Sequence, residues 1–419
     1  MRRDGLRVGL VGPLPPELGG RTAGGVATHQ AALAKGLIEQ GVDAHLLATN
    51  TFAARPAGAR ADSPCPMLRM CPLRPTDADY VRAVGAGTLA RYTLHLARER
   101  GDGSRRERLG QLLWYRHFLC TVRPALVHVQ HPLERHTLIR YVLCAERLRL
   151  PVVVTAHGLF GEHPERSIHD VMAPNLRAAD RVIAVSPHVA EQAIQLGVEP
   201  TRVRVIRSGV DLERFRPRDR GTARRRLGLA ENLSIVLFVG NLEPRKHLDV
   251  LIRSLPSVRA GVPEAIVVVV GSGASAGAND QSTSLQALTA ELDLPSAVRF
   301  VGNVDADDLL DWYAAADVFA LPSSSEAQGI AALEAMASGL PVVASAVGGL
   351  AGTIHDGRTG VLVEPGDAAA LSDALRRLLS DAAMRTSVGA AARQAVTRDF
   401  AWSPSVSATI EVYQEALLG

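Results

Sequence analysis

Short apolar runs, each closed by glycine or a turn and followed by a helical pattern, recur from one end of this chain to the other. That rhythm belongs to a mostly parallel sheet wrapped by helices, so the fold class is α/β. In the first half the runs are 6–11, 42–48, 126–129, 152–155, 181–185 and 203–206. The rhythm restarts near Ser234, with runs at 235–239, 265–270, 298–301, 318–321, 341–344 and 360–363. Between the two sets, residues 208–229 hold Gly209, Phe215, Pro217 and the cluster Arg224, Arg225 and Arg226. This segment reads as a connection plus one polar helix, its arginines forming a solvated face. A second arginine-rich stretch, 98–108, contains Gly101, Gly103 and Ser104 and reads as a mobile loop. With 419 residues, the chain suits two large α/β domains.

Composition removes several classes. At 47% apolar and 21% charged residues, the chain is neither disordered nor fibrous. No apolar stretch approaches the roughly 20 residues needed to span a bilayer, and no export signal follows Met1; a cytoplasmic protein is expected. Cys65, Cys71, Cys120 and Cys144 have neither zinc-ligand nor disulfide-framework spacing. A net charge of +3 gives little reason to expect a nucleic-acid partner. Almost every basic residue is Arg, and Lys occurs only at Lys35 and Lys246. Lys35 sits in a helical pattern and reads as surface.

Two segments carry the strongest chemistry. In the first, a strand ends at Leu321, a loop carries Glu326 and Gln328, Gly329 allows close backbone approach, and a helix starts near Ile330 with Glu334 just over one turn along. Backbone N–H groups at a helix start suit an anion or sugar hydroxyls, and two carboxylates suit diols. In the second, Gly240, Asn241, Arg245 and Lys246 follow the run 235–239 directly. Arg245 and Lys246 place positive charge at a strand's carboxyl end, as a diphosphate leaving group requires. Weaker signals are Gly24, Gly25 and His29 at a glycine-rich turn into a helix, and Thr155, His157 and Gly158 at the end of a strand. His128, Gln130, His131 and Arg135 cluster after another first-half strand and are candidates for an acceptor pocket, with His131 and Arg135 foremost. Gly271, Ser272 and Gly273 nearly fit a dinucleotide fingerprint, but the next run ends in Gly302 and Asn303 where an acid is expected. Asp305 and Asp307 resemble a metal-binding pair and read better as a helix cap.

Taken in order, these elements resemble family 4 of the glycosyltransferases, retaining enzymes of the GT-B fold, over nearly the whole chain. The matched residues are Gly24, Gly25 and His29, Thr155 with His157 and Gly158, Ser208 to Asp211 with Phe215, Gly240 with Lys246, Gly271 to Gly273, and Glu326 with Glu334. The resemblance implies two Rossmann-like doubly wound domains facing a central cleft. The first, 1–208, takes the acceptor and packs against a returning C-terminal helix within 400–419; the second, 209–399, takes the nucleotide-sugar donor. It further implies that Lys246 binds the diphosphate, Glu334 the ribose, Glu326 the transferred sugar and His157 a sugar hydroxyl, with Gly25 backing the phosphates. Asn241, Arg245, Gly271, Ser272, Gln328, Gly329 and Ile330 would complete the donor site. No metal and no cofactor are expected beyond the nucleotide diphosphate sugar as co-substrate. Two departures stand out: Asn241 replaces the family's usual Arg, leaving Arg245 as its candidate substitute, and Gln328 replaces a Phe. Because the Gln328 loop is expected to face the sugar, an unusual or more polar donor sugar is anticipated, with a small polar acceptor from specialised metabolism. Uridine and guanosine donors stay equally open, as does the oligomeric state. A lipid-directed peripheral membrane transferase, a nucleotide-sugar epimerase and an inactive nucleotide-sugar binding protein are the competing readings.

Overall fold

The computed structural model describes residues 5–15, 24–49, 69–70, 86–98, 105–160, 165–273 and 280–419. The chain divides into two compact units: 1–185, 189–206 and 403–419 form the first, and 186–188 with 207–402 form the second.

In the first unit, seven parallel strands run β1 (Arg7–Gly12), β2 (Asp43–Ala48), β3 (Arg69–Met70), β4 (Leu126–Gln130), β5 (Val152–Ala156), β6 (Arg181–Ala184) and β7 (Val203–Val205). Their spatial order is β3-β2-β1-β4-β5-β6-β7. Every residue of β4 and β5 is buried, which is why these strands read as unbroken apolar runs rather than alternating ones. The last helix, Trp402–Leu418, docks on this unit. Its Val406 fills the space a side chain at Gly36 would occupy, and Glu415 pairs with Arg181 and Arg204. Deeper in, Tyr413 reaches His128 at 2.7 Å.

The second unit repeats the plan with β8 (Ser234–Val239), β9 (Ala265–Val270), β10 (Val298–Gly302), β11 (Val318–Leu321), β12 (Val342–Ser345) and β13 (Val361–Val363). The order β10-β9-β8-β11-β12-β13 is again wholly parallel. β9, with sequence AIVVVV, is buried throughout, and all of its residues belong to this unit's core.

Two expectations are corrected by the fold. Arg224 is no solvated residue: on the short helix Arg220–Arg226 it is 1% exposed. Its guanidinium donates to the carbonyls of Ala315, Glu231 and Leu233 at 3.0, 2.6 and 2.9 Å and to Asp317 at 2.8 Å. Asp317 also accepts the Ile235 N–H and a bond from Arg220, so the buried charge is paired and saturated, the condition for tolerating it. The stretch 98–108 is not wholly a loop, since the helices Ala86–Arg98 and Arg105–Val122 take its two ends; residues 99–104, and with them Gly101, Gly103 and Ser104, lie outside the described residues. Cys65 and Cys71 also lie outside them, whereas Cys120 and Cys144 are free thiols. Among the described residues, no helix is long and apolar enough to cross a membrane.

Candidate functional site

Strand order reverses in each sheet, between β1 and β4 and between β8 and β11, and open α/β sheets bind ligands beyond the carboxyl ends of strands at such switch points. The candidate residues gather at both.

In the second unit the chain leaves β8 through Gly240 and Asn241 into a single tight turn, Pro244–Lys246. It leaves β11 into the loop bearing Glu326, which ends at Gly329, the cap of the helix Ile330–Ala337. Lys246 Nζ donates to Glu326 Oε1 across the switch point, both side chains being mostly buried. Ser323 Oγ donates to the same oxygen at 2.9 Å. Burial would raise the Glu326 carboxyl, but the charges of Lys246 and Arg245 and the bonds from Lys246 and Ser323 outweigh it and hold it below the usual range. Glu326 is therefore a carboxylate at neutral pH.

Backbone contacts fix this loop. The Ser324 N–H donates to the Arg245 carbonyl and the Gly349 N–H to the Glu326 carbonyl, each at 2.8 Å. A side chain at Gly349 would meet the Ala327 carbonyl at 2.1 Å. Gly329 is glycine for two reasons: its φ of 82° is left-handed, and a Cβ there would lie 2.4 Å from Leu350. The helix that follows turns its first N–H groups, Ile330 among them, toward its open start. Glu334, along that helix, accepts from the Tyr313 hydroxyl at 2.8 Å. Burial pushes its carboxyl up to about 7, against the opposing pull of that bond and of the Arg214 charge.

Asn241 and Arg245 both bind Glu243: the Asn241 amide donates at 3.1 Å and the Arg245 guanidinium at 2.8 Å. Arg245 thus reaches the site already carrying a carboxylate partner. Gly271 ends β9 with φ of 127°, packed so closely on Gly240 that a Cβ would come within 2.0 Å of its carbonyl. The Ser272 carbonyl accepts the Leu242 N–H at 3.3 Å. These residues build the floor beside β8. The dinucleotide alternative fails on topology, because β9 lies one strand away from the switch point, which is formed by β8 and β11. Asp305 Oδ1 accepts the N–H groups of Asp307 and Asp308 at 3.0 and 2.8 Å, a capping turn ahead of the helix Asp308–Ala315. Among the described residues, no group of three or more His, Cys, Asp or Glu is arranged to hold a metal ion.

Gln328 overturns an expectation. Its amide is 4% exposed, with Oε1 accepting the Ser208 N–H at 2.9 Å and Nε2 donating to the Ser208 carbonyl at 2.8 Å. Both ends of the side chain are engaged by backbone, so it does not present a polar group to a sugar and gives no ground for a more polar donor.

In the first unit, histidines collect at the ends of β4 and β5. His157 Nε2 donates to Gln130 Oε1 at 2.8 Å. The His29 ring meets the His157 ring edge-on at 4.6 Å between centroids, and that of His131 lies 6.3 Å away. Burial, aided by the charges His29, His131 and His128 would carry, holds His157 well below the usual range, so it is neutral at pH 7. A neutral ring donating through Nε2 keeps a lone pair on Nδ1, which makes it a hydrogen-bond acceptor. His128 serves the packing instead, since it is wholly buried and joins Tyr413 and Thr155, each at 2.7 Å. His131 is buried with φ of 76°, and its N–H donates to the Thr155 carbonyl at 2.8 Å. Arg135 lies in the first turn of the helix Glu134–Ala145, and its side chain is outside the described residues. Gly25 is the first residue of the helix Gly25–Glu39 after β1. Lys35 is exposed, 3.9 Å from Glu39. The sequence did not reveal Tyr313, Ser323 or Gly349; the pair Gly348 and Gly349, beyond the run 341–344 and the three residues that follow it, was the one available signal.

Two family models together match most of the chain: Glycosyltransferase Family 4 over residues 23–214 and Glycosyl transferases group 1 over residues 219–395. A D-inositol 3-phosphate glycosyltransferase of Nocardioides sp. is 37% identical over 294 residues, covering 65% of this chain and 64% of the relative. One of Streptomyces scabiei is 38% identical over 310 residues, covering 70% and 68%. The chain thus aligns with about two thirds of the length of these curated relatives. The solved sucrose-phosphate synthase of Thermosynechococcus elongatus superposes with a TM-score of 0.76 at 25% identity, covering 99% of each chain.

Proposed function

Because the chain belongs to glycosyltransferase family 4, we propose that it moves a sugar from a nucleotide diphosphate sugar to a small polar acceptor, without a metal ion and with retention at the anomeric carbon. The observation that carries this reading is the Lys246–Glu326 pair across the second unit's switch point, with Glu334 on the adjoining helix. Lys246 supplies fixed charge for the diphosphate, Glu326 a carboxylate for the sugar hydroxyls, and Glu334 a second carboxylate for the ribose diol. Donor binding parts the ion pair by offering each member a better partner. Arg245, shared with Glu243, adds a weaker charge where Asn241 brings none. The bond from the anomeric carbon to the diphosphate oxygen breaks, and the acceptor oxygen bonds to that carbon from the face the diphosphate leaves. The acceptor's proton passes to the departing phosphate oxygen. The His157 Nδ1 lone pair receives a sugar hydroxyl. With Gln328 engaged by Ser208, the donor sugar is left open between ordinary and modified hexoses, and the acceptor class suggested by the relatives' names is a polyol phosphate. Work in the cytoplasm, where nucleotide sugars are made, accords with this chemistry.

The test is incubation of the protein with UDP- and GDP-hexoses and D-inositol 3-phosphate in excess chelator, followed by NMR of the product. An α-linked product from an α-linked donor supports the reading. Transfer that needs added Mg²⁺, or inversion, removes the corresponding part. Donor isomerised without acceptor would favour an epimerase.

A further inference from the structure

We propose that Tyr313 is a positioning residue for nucleotide binding: its hydroxyl holds Glu334 Oε2 so that Oε1 faces a ribose diol. This rests on the reading of Glu334 given above. Tyr313 lies on the helix Asp308–Ala315 and is completely buried. Its ring stands edge-on to Phe215 at 5.8 Å and tilted against Phe319 at 6.0 Å, so the position of the hydroxyl is set by aromatic packing rather than by its hydrogen bond. The bond to Glu334 Oε2 is 2.8 Å, and the Ala331 carbonyl, at 3.3 Å, is a weaker second acceptor for the same proton. Burial together with the neighbouring Glu334 charge keeps the phenol protonated far into the alkaline range, so it can only donate to the carboxylate.

A ribose diol offers two O–H donors, and an ionised carboxylate is the strongest acceptor for the pair because its bonds are charge-assisted. A protonated Glu334 gives up the charge and part of this acceptor capacity. Three influences act on Glu334: burial disfavours its charge, and the Tyr313 hydrogen bond and the Arg214 charge favour it, leaving it poised near neutrality. Tyr313 therefore acts twice, fixing the rotamer and favouring the form that accepts hydroxyls. Nucleotide binding should release a proton from the fraction of Glu334 that is protonated.

The experiment is calorimetric titration with intact UDP-glucose and GDP-mannose, whose diphosphates do not titrate near neutrality, from pH 6 to 9 in buffers of differing ionisation enthalpy. For the wild type the tighter donor should bind about tenfold more strongly at pH 8 than at pH 6, with proton release. Tyr313→Phe keeps the packed ring; its affinity at pH 7 should fall severalfold and the rise should move to higher pH. In a Glu334→Ala background, where the hydroxyl has no side-chain oxygen to hold, the rise should vanish and Tyr313→Phe should have no further effect. An unchanged pH profile for Tyr313→Phe, or an equal loss in both backgrounds, would overturn the positioning role while leaving the nucleotide site in place. Wild-type and Glu334→Ala proteins binding alike would remove the assignment of Glu334 itself.

Discussion

The amide of Gln328 uses both of its hydrogen-bonding ends on the Ser208 backbone, and its effect on substitution follows from that. Gln328→Ala orphans a buried N–H and a buried carbonyl, each costing about 1–3 kcal/mol. Urea denaturation should therefore show a clear loss of stability, with the ranking of donor sugars unchanged. At the first unit's switch point, Gln130→Leu removes the acceptor that keeps the His157 proton on Nε2. Turnover should fall roughly tenfold, the worth of about one such bond, and nitrogen spectra of the labelled histidines should show the His157 tautomer released. Residue type and spacing drew attention to Lys246, Glu326 and Glu334 without deciding against solvated glutamates on a capped helix, and their roles came from the family resemblance. The same cues misjudged Gln328, whose partner lies 120 residues away, and gave no sign of Tyr313, since a tyrosine within an apolar helix reads as core until its hydroxyl is located.

Among the elements, the runs read at 265–270 and 318–321 coincide with β9 and β11, because strands buried on both faces leave an unbroken apolar signature. β3, of two residues, is too short for any periodicity to register. The helix Arg220–Arg226 was legible as a helix and misread as to its face. Three adjacent arginines cannot share one side of a helix, and only the fold shows that Arg224 turns inward to Asp317 at the start of β11. Arg224→Met strips the buried Asp317 of one partner and leaves three carbonyls without it. The cost should be about 3–5 kcal/mol, read as a lowered melting temperature, whereas Arg225→Met, on the exposed face of the same helix, should change little.

At the scale of the molecule, the same strand order is used twice, and the two units carry opposite pH dependences. In the first, His29, His128 and His136 are pushed down to about 3 by burial, and His157 also lies well below its usual value. Their unfolded forms take up protons below about 6.5, where the folded forms do not, so stability falls as pH drops through that window by about 1.4 kcal/mol per pH unit for each group. In the second unit Glu334, raised to about 7, holds a proton that its unfolded form loses above about 4.5, so its contribution is greatest in acid and fades as pH rises toward 7. Acidification from pH 7 to 5 should therefore loosen the first unit selectively, seen as lost hydrogen-exchange protection in β4 and β5 with β8 and β11 retained. The doubled α/β plan was legible from the spacing of the runs, whereas the pairing of Lys246 with Glu326 came only from the topology that sets β8 beside β11. The claim that this pair marks a nucleotide diphosphate site is tested most directly by titrating the protein with UDP and with GDP in chelator, and repeating the tighter one on Lys246→Ala after checking its melting transition. Binding without metal, weakened by about 2–4 kcal/mol in the variant, is the result predicted; binding of neither nucleotide, or an affinity untouched by loss of Lys246, would contradict it.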